Sequence, residues 1–197
     1  MQPEILIAYV TRSGSTEDVA EAMGMTIHEA GVAVDVKPMN DVDSISDDKA
    51  VILGAALYAG HFPREFHRFV TRFRRELGNT RPWIFVLGPT EKETENFAAA
   101  EGQARKELAK YAWLHPADVR VFGGRFDPRH VSLPFLLGLL MKLPGNRMRK
   151  LPVSDLRDWG WIRRWAGAIA DHAQKGTPVQ RGEFAEYSAF KNSLQGS

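Results

Sequence analysis

The sequence contains no cysteine and no long hydrophobic segment. Without cysteine, the chain can form no disulfide framework, no thiolate metal site and no cysteine nucleophile. The longest apolar run starts at Val131 and ends at Leu143, and Pro134 and Gly138 interrupt it. A helix that crosses a membrane needs roughly 20 apolar residues, so this run predicts no transmembrane segment.

A targeting signal and a strong charge bias are also missing. The first residues lack the charged start, the apolar stretch and the small-residue cleavage site of a secretory signal, so we expect a cytoplasmic location. The chain has 26 Lys and Arg against 24 Asp and Glu, which gives a net charge of +2. This bias is too small to indicate nucleic acid binding by charge alone.

Length and composition predict one globular domain. A chain of 197 residues with 44% hydrophobic residues can bury a core of ordinary size without dividing in two. We expect residues 1–175 to form this domain. The polar residues 176–197 are predicted to be a C-terminal tail.

The pattern of apolar residues predicts alternating strands and helices. Short apolar runs predict strands at residues 5–10, 32–36, 50–55, 83–87 and 119–123. Apolar residues at three- and four-residue spacing predict helices at residues 17–30, 63–77, 97–112 and 158–174. This alternation predicts an α/β fold with three layers, a doubly wound five-stranded parallel sheet and an apolar insert after the fifth strand. Ligands bind such sheets at the carboxyl ends of the strands.

A loop rich in hydroxyl groups follows the first predicted strand and precedes the first helix. It consists of Thr11, Arg12, Ser13, Gly14, Ser15 and Thr16. Hydroxyls, a glycine and the free amides of a helix N-terminus are suited to bind an oxyanion. Neither the P-loop pattern nor the three-glycine dinucleotide pattern is present, which disfavours ATP and NAD. The alternative is that these hydroxyls only cap the helix.

Several motifs in the same order resemble one family. Thr-x-Ser-Gly-x-Thr after the first strand resembles the FMN phosphate loop of flavodoxins, although Ala8 and Met23 depart from the family signature. The segment 54–62 and the phenylalanine-rich helix after it resemble the menaquinone-dependent protoporphyrinogen dehydrogenases of flavodoxin type. Segments 123–126, 141–145 and 158–159 are also similar to that group. The resemblance covers residues 5–175, and it implies a flavodoxin-like fold that binds FMN.

The resemblance also implies which residues form the FMN site. The loop 11–16 is expected to hold the phosphate, and Tyr58 to stack on the isoalloxazine ring, with ordinary packing of Tyr58 as the alternative. The residues expected to bind the cofactor are Thr11, Arg12, Ser13, Gly14, Ser15, Thr16, Ala56, Leu57, Tyr58, Gly60, His61, Gly88, Pro89, Thr90, Gly123 and Gly124. The loop 89–96 offers no second aromatic residue. We therefore hypothesise that a flat apolar substrate or a quinone stacks on an open face of the ring.

His61 is the candidate for acid–base catalysis, because imidazole transfers protons near neutral pH. The alternative is a structural hydrogen bond to the backbone before the next helix. The remaining histidines show no metal-ligand spacing, and we predict no metal site; they are His28, His67, His115, His130 and His172. Ser13 and Ser15 lie in no Gly-x-Ser-x-Gly elbow, so a hydrolase is not indicated.

The insert at residues 131–143 is apolar and flanked by basic residues. Such a segment can rest on an anionic membrane surface, and a packed helix is the alternative. The resemblance favours membrane contact, because enzymes of that group pass electrons to a membrane quinone.

Together these features predict an FMN-dependent oxidoreductase that passes electrons from a protoporphyrinogen-like substrate through FMN to a quinone. The first alternative is a flavodoxin-type electron carrier, although such carriers are typically acidic and lack a long insert. The second is an NAD(P)H-quinone reductase, although no second nucleotide motif is visible. The oligomeric state is left open, with a homo-oligomer among the alternatives.

Overall fold

A five-stranded parallel sheet forms the centre of the molecule. The computed structural model describes residues 4–45, 50–88, 94–126 and 153–175. The sheet strands are β1 (Glu4–Tyr9), β2 (Ala33–Pro38), β3 (Ala50–Ala56), β4 (Trp83–Leu87) and β5 (Asp118–Phe122). They are arranged in the order β2-β1-β3-β4-β5. β1 pairs with both of its neighbours, so Ile7 lies between Val36 of β2 and Ile52 of β3. This arrangement confirms the predicted α/β fold class.

Helices cover both faces of the sheet. They are α1 (Ser15–Glu29), α2 (Arg64–Arg72), α3 (Arg74–Thr80), α4 (Thr94–Leu108) and α5 (Trp159–Lys175). A single 3₁₀ turn, Met39–Asp41, follows β2. α1 and α5 pack on one face, and α2, α3 and α4 pack on the other. The described residues therefore form the three predicted layers.

Each strand supplies residues to two separate cores. In β1, Ile5 and Ile7 pack with α1 and α5, whereas Leu6 and Ala8 pack with α2 and α4. The reason is that successive side chains of a strand point to opposite faces of the sheet. Because helices cover both faces, β1 is apolar on both, which explains its uninterrupted hydrophobic sequence.

The predicted helix at residues 63–77 is wrong as a single element. The structure has two helices, α2 and α3, with Phe73 between them at φ −102° and ψ 33°. Hydrogen bonds continue on both sides, because the Phe73 amide donates to Phe69 and the Leu77 amide donates to Phe73. The bend leaves Phe69, Phe73 and Leu77 in one buried cluster. An apolar repeat that stays in phase through a bend cannot reveal it.

Both predicted ends of β4 are confirmed, whereas most other helix and strand ends differ from the predictions by a few residues. α4 spans 94–108, whereas the prediction was 97–112. After Leu108 the chain forms turns closed by hydrogen bonds from Lys110 to Glu107 and from Leu114 to Tyr111. These turns bury Leu114, and the helix ends four residues before its predicted end.

A short antiparallel ribbon was not predicted. It pairs β6 (Arg125–Phe126) with β7 (Ser154–Asp155), next to the end of β5. Strands of two residues are too short to show any periodicity. The predicted apolar insert at 131–143 and the predicted tail at 176–197 both lie outside the described residues. In the ranges that are described, no helix is both long enough and apolar enough to cross a membrane.

Gly54 in the middle of β3 gives a test of this packing. A Cβ atom added there would lie 2.1 Å from Cζ of Phe85, whose ring is fully buried. We expect Gly54→Ala to lower the free energy of unfolding by about 1–3 kcal/mol, because the ring has no space to move into.

Urea unfolding followed by tryptophan fluorescence measures this change. The matched control is Gly167→Ala in α5, where no atom lies within 4 Å of the added Cβ. That variant should gain up to about 1 kcal/mol from the helix propensity of alanine. Equal stability of Gly54→Ala and the wild type would show that the contact between β3 and Phe85 is not tight.

Candidate functional site

The loops that follow the strands meet at one edge of the sheet, because all five strands are parallel. Hydrogen bonds between neighbouring strands continue into these loops. Val10 donates to Gly54 at 2.9 Å, Leu57 to Leu87 at 3.1 Å and Gly88 to Phe122 at 2.9 Å. The chain connections reverse direction between β1 and β3, and a ligand crevice is expected at such a point. The loops after β1 and β3 therefore form the centre of the candidate site.

The loop after β1 leaves the start of α1 open. Gly14 is the N-cap residue in the left-handed conformation (φ 82°), and no side chain caps the helix. The amide of Gly14 donates to Oγ1 of Thr11 at 3.0 Å, which shapes the loop before the helix begins. The alternative that these hydroxyls cap the helix is therefore wrong. The first-turn amides have no acceptor within the helix, as at any uncapped N-terminus, and they can bind an anion.

Thr16 is the most informative residue of this loop. Its side chain is fully buried, and no group among the described residues pairs with its Oγ1 atom. A buried hydroxyl without a partner costs about 1–3 kcal/mol. Ser15, the residue before it, is 7% exposed. The hydroxyl of Thr16 in the first turn of α1 therefore has a hydrogen bond left to make at the open helix start.

Two carboxylates in the first turn of α1 are compensated by other groups. Glu17 Oε1 accepts a hydrogen bond of 2.8 Å from the hydroxyl of Tyr9. Burial, together with this contact to Glu17, raises the pKa of Tyr9 to about 12. Asp18 Oδ2 lies 2.7 Å from Nη1 of Arg157, a buried arginine that also binds Asp155. These contacts reduce the repulsion that the two acids would otherwise exert on an anion at the helix start.

The loop after β3 forms a tight reverse turn from Tyr58 to His61. Ala59 (φ 48°) and Gly60 (φ 81°) are both in the left-handed region, as in a type I′ turn. The turn is closed by hydrogen bonds of 2.9 Å and 3.0 Å between the backbones of Tyr58 and His61. A positive φ at a non-glycine residue such as Ala59 is uncommon and marks a locally strained backbone.

Tyr58 connects this turn with the loop after β1. The guanidinium carbon of Arg12 lies 4.7 Å from the centre of the Tyr58 ring, a cation–π contact. Burial raises the pKa of the Tyr58 hydroxyl, and this effect exceeds the opposing charge of Arg12 and the hydrogen bonds from the Arg12 backbone and the Ser13 side chain. The structure therefore brings the two principal predicted loops together through Tyr58, Arg12 and Ser13.

The glycines after β4 and β5 allow close contacts between chain segments. A Cβ atom at Gly88 would lie 2.8 Å from Cγ1 of Val121, and one at Gly123 would lie 2.1 Å from the carbonyl oxygen of Leu156. The amide of Leu156 donates to the Gly124 carbonyl at 3.0 Å. Contact of these glycines with a cofactor stays a prediction, as it does for Ala56, which is 9% exposed, and for the half-buried Leu57. Pro89 and Thr90 lie outside the described residues.

His61 binds a buried carboxylate that the sequence analysis missed. Nδ1 of His61 lies 3.1 Å from Oε1 of Glu107 in α4, and Nζ of Lys110 lies 2.5 Å from the same oxygen. His67 Nε2 is 3.5 Å from Oε2 of Glu107, whose side chain is 2% exposed. Burial by itself raises the pKa of Glu107, but hydrogen bonds from Lys110 and His61 outweigh burial and lower it.

The position of Glu107 in the sequence indicates that its side chain is buried. Glu107 lies three residues after Ala104 and directly before Leu108, so it shares the apolar stripe of α4. The alternative for His61 was a structural hydrogen bond to the local backbone. The backbone amide and carbonyl of His61 do form such bonds with Tyr58, but its ring does not. Its ring binds a side chain 46 positions away.

Two proteins of the same name are similar to this chain in sequence. The chain is 28% identical over 174 residues to a protein named protoporphyrinogen IX dehydrogenase [quinone] from Leishmania major, covering 85% of this chain and 75% of that protein. It is 26% identical over 180 residues to the protein of the same name from Escherichia coli strain K12, covering 87% of this chain and 97% of that protein.

Among solved structures, flavodoxin 2 from Bacillus cereus is 15% identical, with a TM-score of 0.49, and the match covers 88% of this chain and 99% of that one. A family model described as a flavodoxin domain matches residues 6–135, which is more than half of the chain. This segment contains four complete strands of the sheet, the uncapped helix start and the turn at Tyr58. The chain therefore belongs to the flavodoxin domain family.

Proposed function

We propose that this protein binds FMN at the edge formed by the loops after β1 and β3. The observation that carries the proposal is the buried, unpaired hydroxyl of Thr16 beside the open N-terminus of α1. A phosphate group supplies the acceptor that this hydroxyl lacks, and it also pairs with the free amides. Gly14 has no atom within 4 Å of an added Cβ, so the loop leaves space for such a group.

The residues proposed to hold FMN divide into two groups. Thr11, Arg12, Ser13, Gly14, Ser15 and Thr16 hold the phosphate. Tyr58, on the adjacent turn, flanks the isoalloxazine ring together with the residues proposed after β4 and β5. The Arg12 guanidinium contacts the Tyr58 ring, so the cation that is proposed to bind the phosphate lies next to the aromatic residue that is proposed to flank the flavin. When bound, FMN supplies the electron-accepting group that the protein side chains lack.

Thr16→Val tests the phosphate loop. The substitution keeps the shape of the side chain and replaces the unpaired hydroxyl by a methyl group, so the free protein should gain up to about 1–3 kcal/mol of stability. A hydrogen bond to a charged phosphate contributes about 1.5–3 kcal/mol, so the affinity for FMN should fall about tenfold or more. Quenching of flavin fluorescence on titration of the purified protein measures the dissociation constant.

Two controls make this result specific. Thr26→Val lies in the same helix, where the Thr26 hydroxyl donates to the Ala22 carbonyl at 2.9 Å, and its FMN affinity should equal that of the wild type. Riboflavin has no phosphate, so Thr16→Val should not change its affinity. A wild-type protein that binds neither FMN nor riboflavin would reject the proposed cofactor.

We further propose that the protein is an FMN-dependent oxidoreductase that takes electrons from a protoporphyrinogen-like substrate and passes them to a quinone. Two observations support this proposal: the names of the relatives in Leishmania major and Escherichia coli, and the extent of the matches, which cover 85% and 87% of this chain. The protein's own groups bind and orient the reactants. The absence of an aromatic residue from the loop 89–96 supports an open ring face for a flat substrate or quinone.

An electron carrier without a substrate of its own is the second candidate. The flavodoxin domain family match favours it as much as it favours an enzyme. The net charge of +2 argues against it, because carriers of this type are typically acidic. An NAD(P)H-quinone reductase is less well supported, because the sequence shows no second nucleotide-binding motif.

An anaerobic assay separates these functions. We expect the FMN-loaded protein to oxidise protoporphyrinogen in the presence of menaquinone, followed by the absorbance of the porphyrin product. Thr16→Val at an FMN concentration near the wild-type dissociation constant should turn over more slowly and regain activity when FMN is added. Free FMN at the same concentration is the control. An FMN-loaded protein that exchanges electrons with a reductase but oxidises no porphyrinogen would instead be a carrier.

Membrane contact through residues 131–143 and a cytoplasmic location stay predictions. The same applies to the absence of a metal site, the absence of nucleic acid binding and the oligomeric state.

A further inference from the structure

The side chain of Glu107 is the centre of a small cluster of titratable groups. His61 comes from the turn after β3, His67 comes from α2, and Lys110 and Tyr111 come from the segment after α4. The ring of His67 also binds the Tyr111 hydroxyl through Nδ1 at 2.6 Å. Three separate segments of the chain therefore converge on one buried carboxylate.

The contact with Glu107 fixes how His61 is presented. The Glu107 carboxylate accepts a hydrogen bond from the Nδ1–H group, and this bond selects the neutral tautomer of the ring that carries hydrogen on Nδ1. The opposite nitrogen, Nε2, is then free to accept a proton. The His61 side chain is 65% exposed, whereas Glu107 is 2% exposed. The ring is thus bound on its buried side and available on its outer side.

The same contact ties His61 to the predicted flavin edge. His61 closes the reverse turn that begins at Tyr58, and two backbone hydrogen bonds join these residues. A Cβ atom at Gly60 would lie 3.2 Å from the side chain of Gln103, one turn before Glu107 in α4. α4 therefore supports the turn at two neighbouring places, and the orientation of the His61 ring is coupled to the backbone that carries Tyr58.

Burying a carboxylate is energetically unfavourable, and a turn can be held in place without one. Removing a carboxylate from water costs several kcal/mol, and apolar packing of similar volume often stabilises a fold equally well. A buried carboxylate is better explained when its charge or its acceptor atoms have a specific function. An apolar side chain cannot hold a histidine in one tautomer, because it has no acceptor for the ring N–H group.

We propose that Glu107 is a positioning residue: it holds His61 with hydrogen on Nδ1 and thereby presents Nε2 as a proton acceptor beside the flavin. This inference rests on the proposed FMN-dependent function. Oxidation of an organic substrate by two electrons also releases two protons. Bound FMN would supply the acceptor for two electrons and one proton, and Nε2 of His61 would accept the second proton. When the quinone is reduced, it receives the two electrons together with both protons, so His61 returns to its neutral form.

The first test is made on the protein without flavin. Nitrogen-15 NMR at about pH 8.5, above the ordinary pKa of histidine, reports which ring nitrogen carries hydrogen. We expect His61 to be in the Nδ1–H form in the wild type and a mixture of tautomers in Glu107→Leu. Glu107→Gln keeps an acceptor oxygen and should keep the Nδ1–H form. His61→Asn identifies the signals of this ring.

The second test uses the FMN-loaded protein. Glu107→Leu should lower kcat/KM for porphyrinogen oxidation by about 10- to 100-fold, within the range that a positioned acid or base contributes. Its affinity for FMN should remain that of the wild type, because the phosphate loop is intact. His61→Ala should lower kcat/KM by the same factor. In the wild type, kcat/KM should decrease on the acid side of the pH profile because His61 becomes protonated, and this decrease should be absent from His61→Ala.

Lys110→Met is the matched control, because it removes a different partner from the same carboxylate oxygen and leaves the contact with His61. It should keep the tautomer and the pH profile. If Glu107→Leu unfolds, Glu107→Asp, which withdraws the carboxylate from His61, takes its place in both tests.

The outcomes separate this inference from the proposed function. If the wild type does not bind FMN, both are rejected. If it binds FMN and the tautomer of His61 is the same in Glu107→Leu as in the wild type, only the role of Glu107 is overturned. An unchanged pH profile in His61→Ala overturns the role of His61 as the proton acceptor.

Discussion

The parallel pairing of β1 with both β2 and β3 is the constraint on which the rest of the structure depends. β1 lies between β2 and β3 in the sheet. The chain moves from β1 to β2 on one side and then crosses back to β3 on the other side. Its side chains fill both cores, with Ile5 and Ile7 on one face and Leu6 and Ala8 on the other. Because its carboxyl end points to the same edge as that of β3, the loops that follow both strands are neighbours. The candidate site exists because of this arrangement.

A hydrogen bond and an ion pair to the acids of α1 keep these neighbouring loops compatible with an anion. The two acids at the start of α1 are each bound by a group that comes from elsewhere, Glu17 by Tyr9 and Asp18 by Arg157. Arg157 lies 139 residues from Asp18 in the sequence and follows the short antiparallel ribbon. The ribbon and the segment after it thus contribute to the site through electrostatics, although they lie far along the chain.

The local parts of this site could be predicted from the sequence. The loop 11–16 follows a continuous apolar strand and precedes a helix, so its position at the sheet edge could be inferred. Tyr58 could be placed next to it because it follows another buried strand. In contrast, the break at Phe73 could not be predicted, because the apolar repeat remains in phase across it. The contact between His61 and Glu107 joins residues 46 positions apart, and no local pattern specifies such a distance.

The sequence by itself determined the five strands of the sheet, their alternation with helices and the hydroxyl-rich loop with its family resemblance. These features depend on backbone preferences and on apolar periodicity, which act over a few residues. Only the tertiary structure decided that the start of α1 stays uncapped, that the Thr16 hydroxyl is buried without a partner, and that Glu107 holds the ring of His61. The physical reason is that burial and side-chain pairing are set by segments distant in sequence, and these become neighbours only after the sheet and its helices have packed.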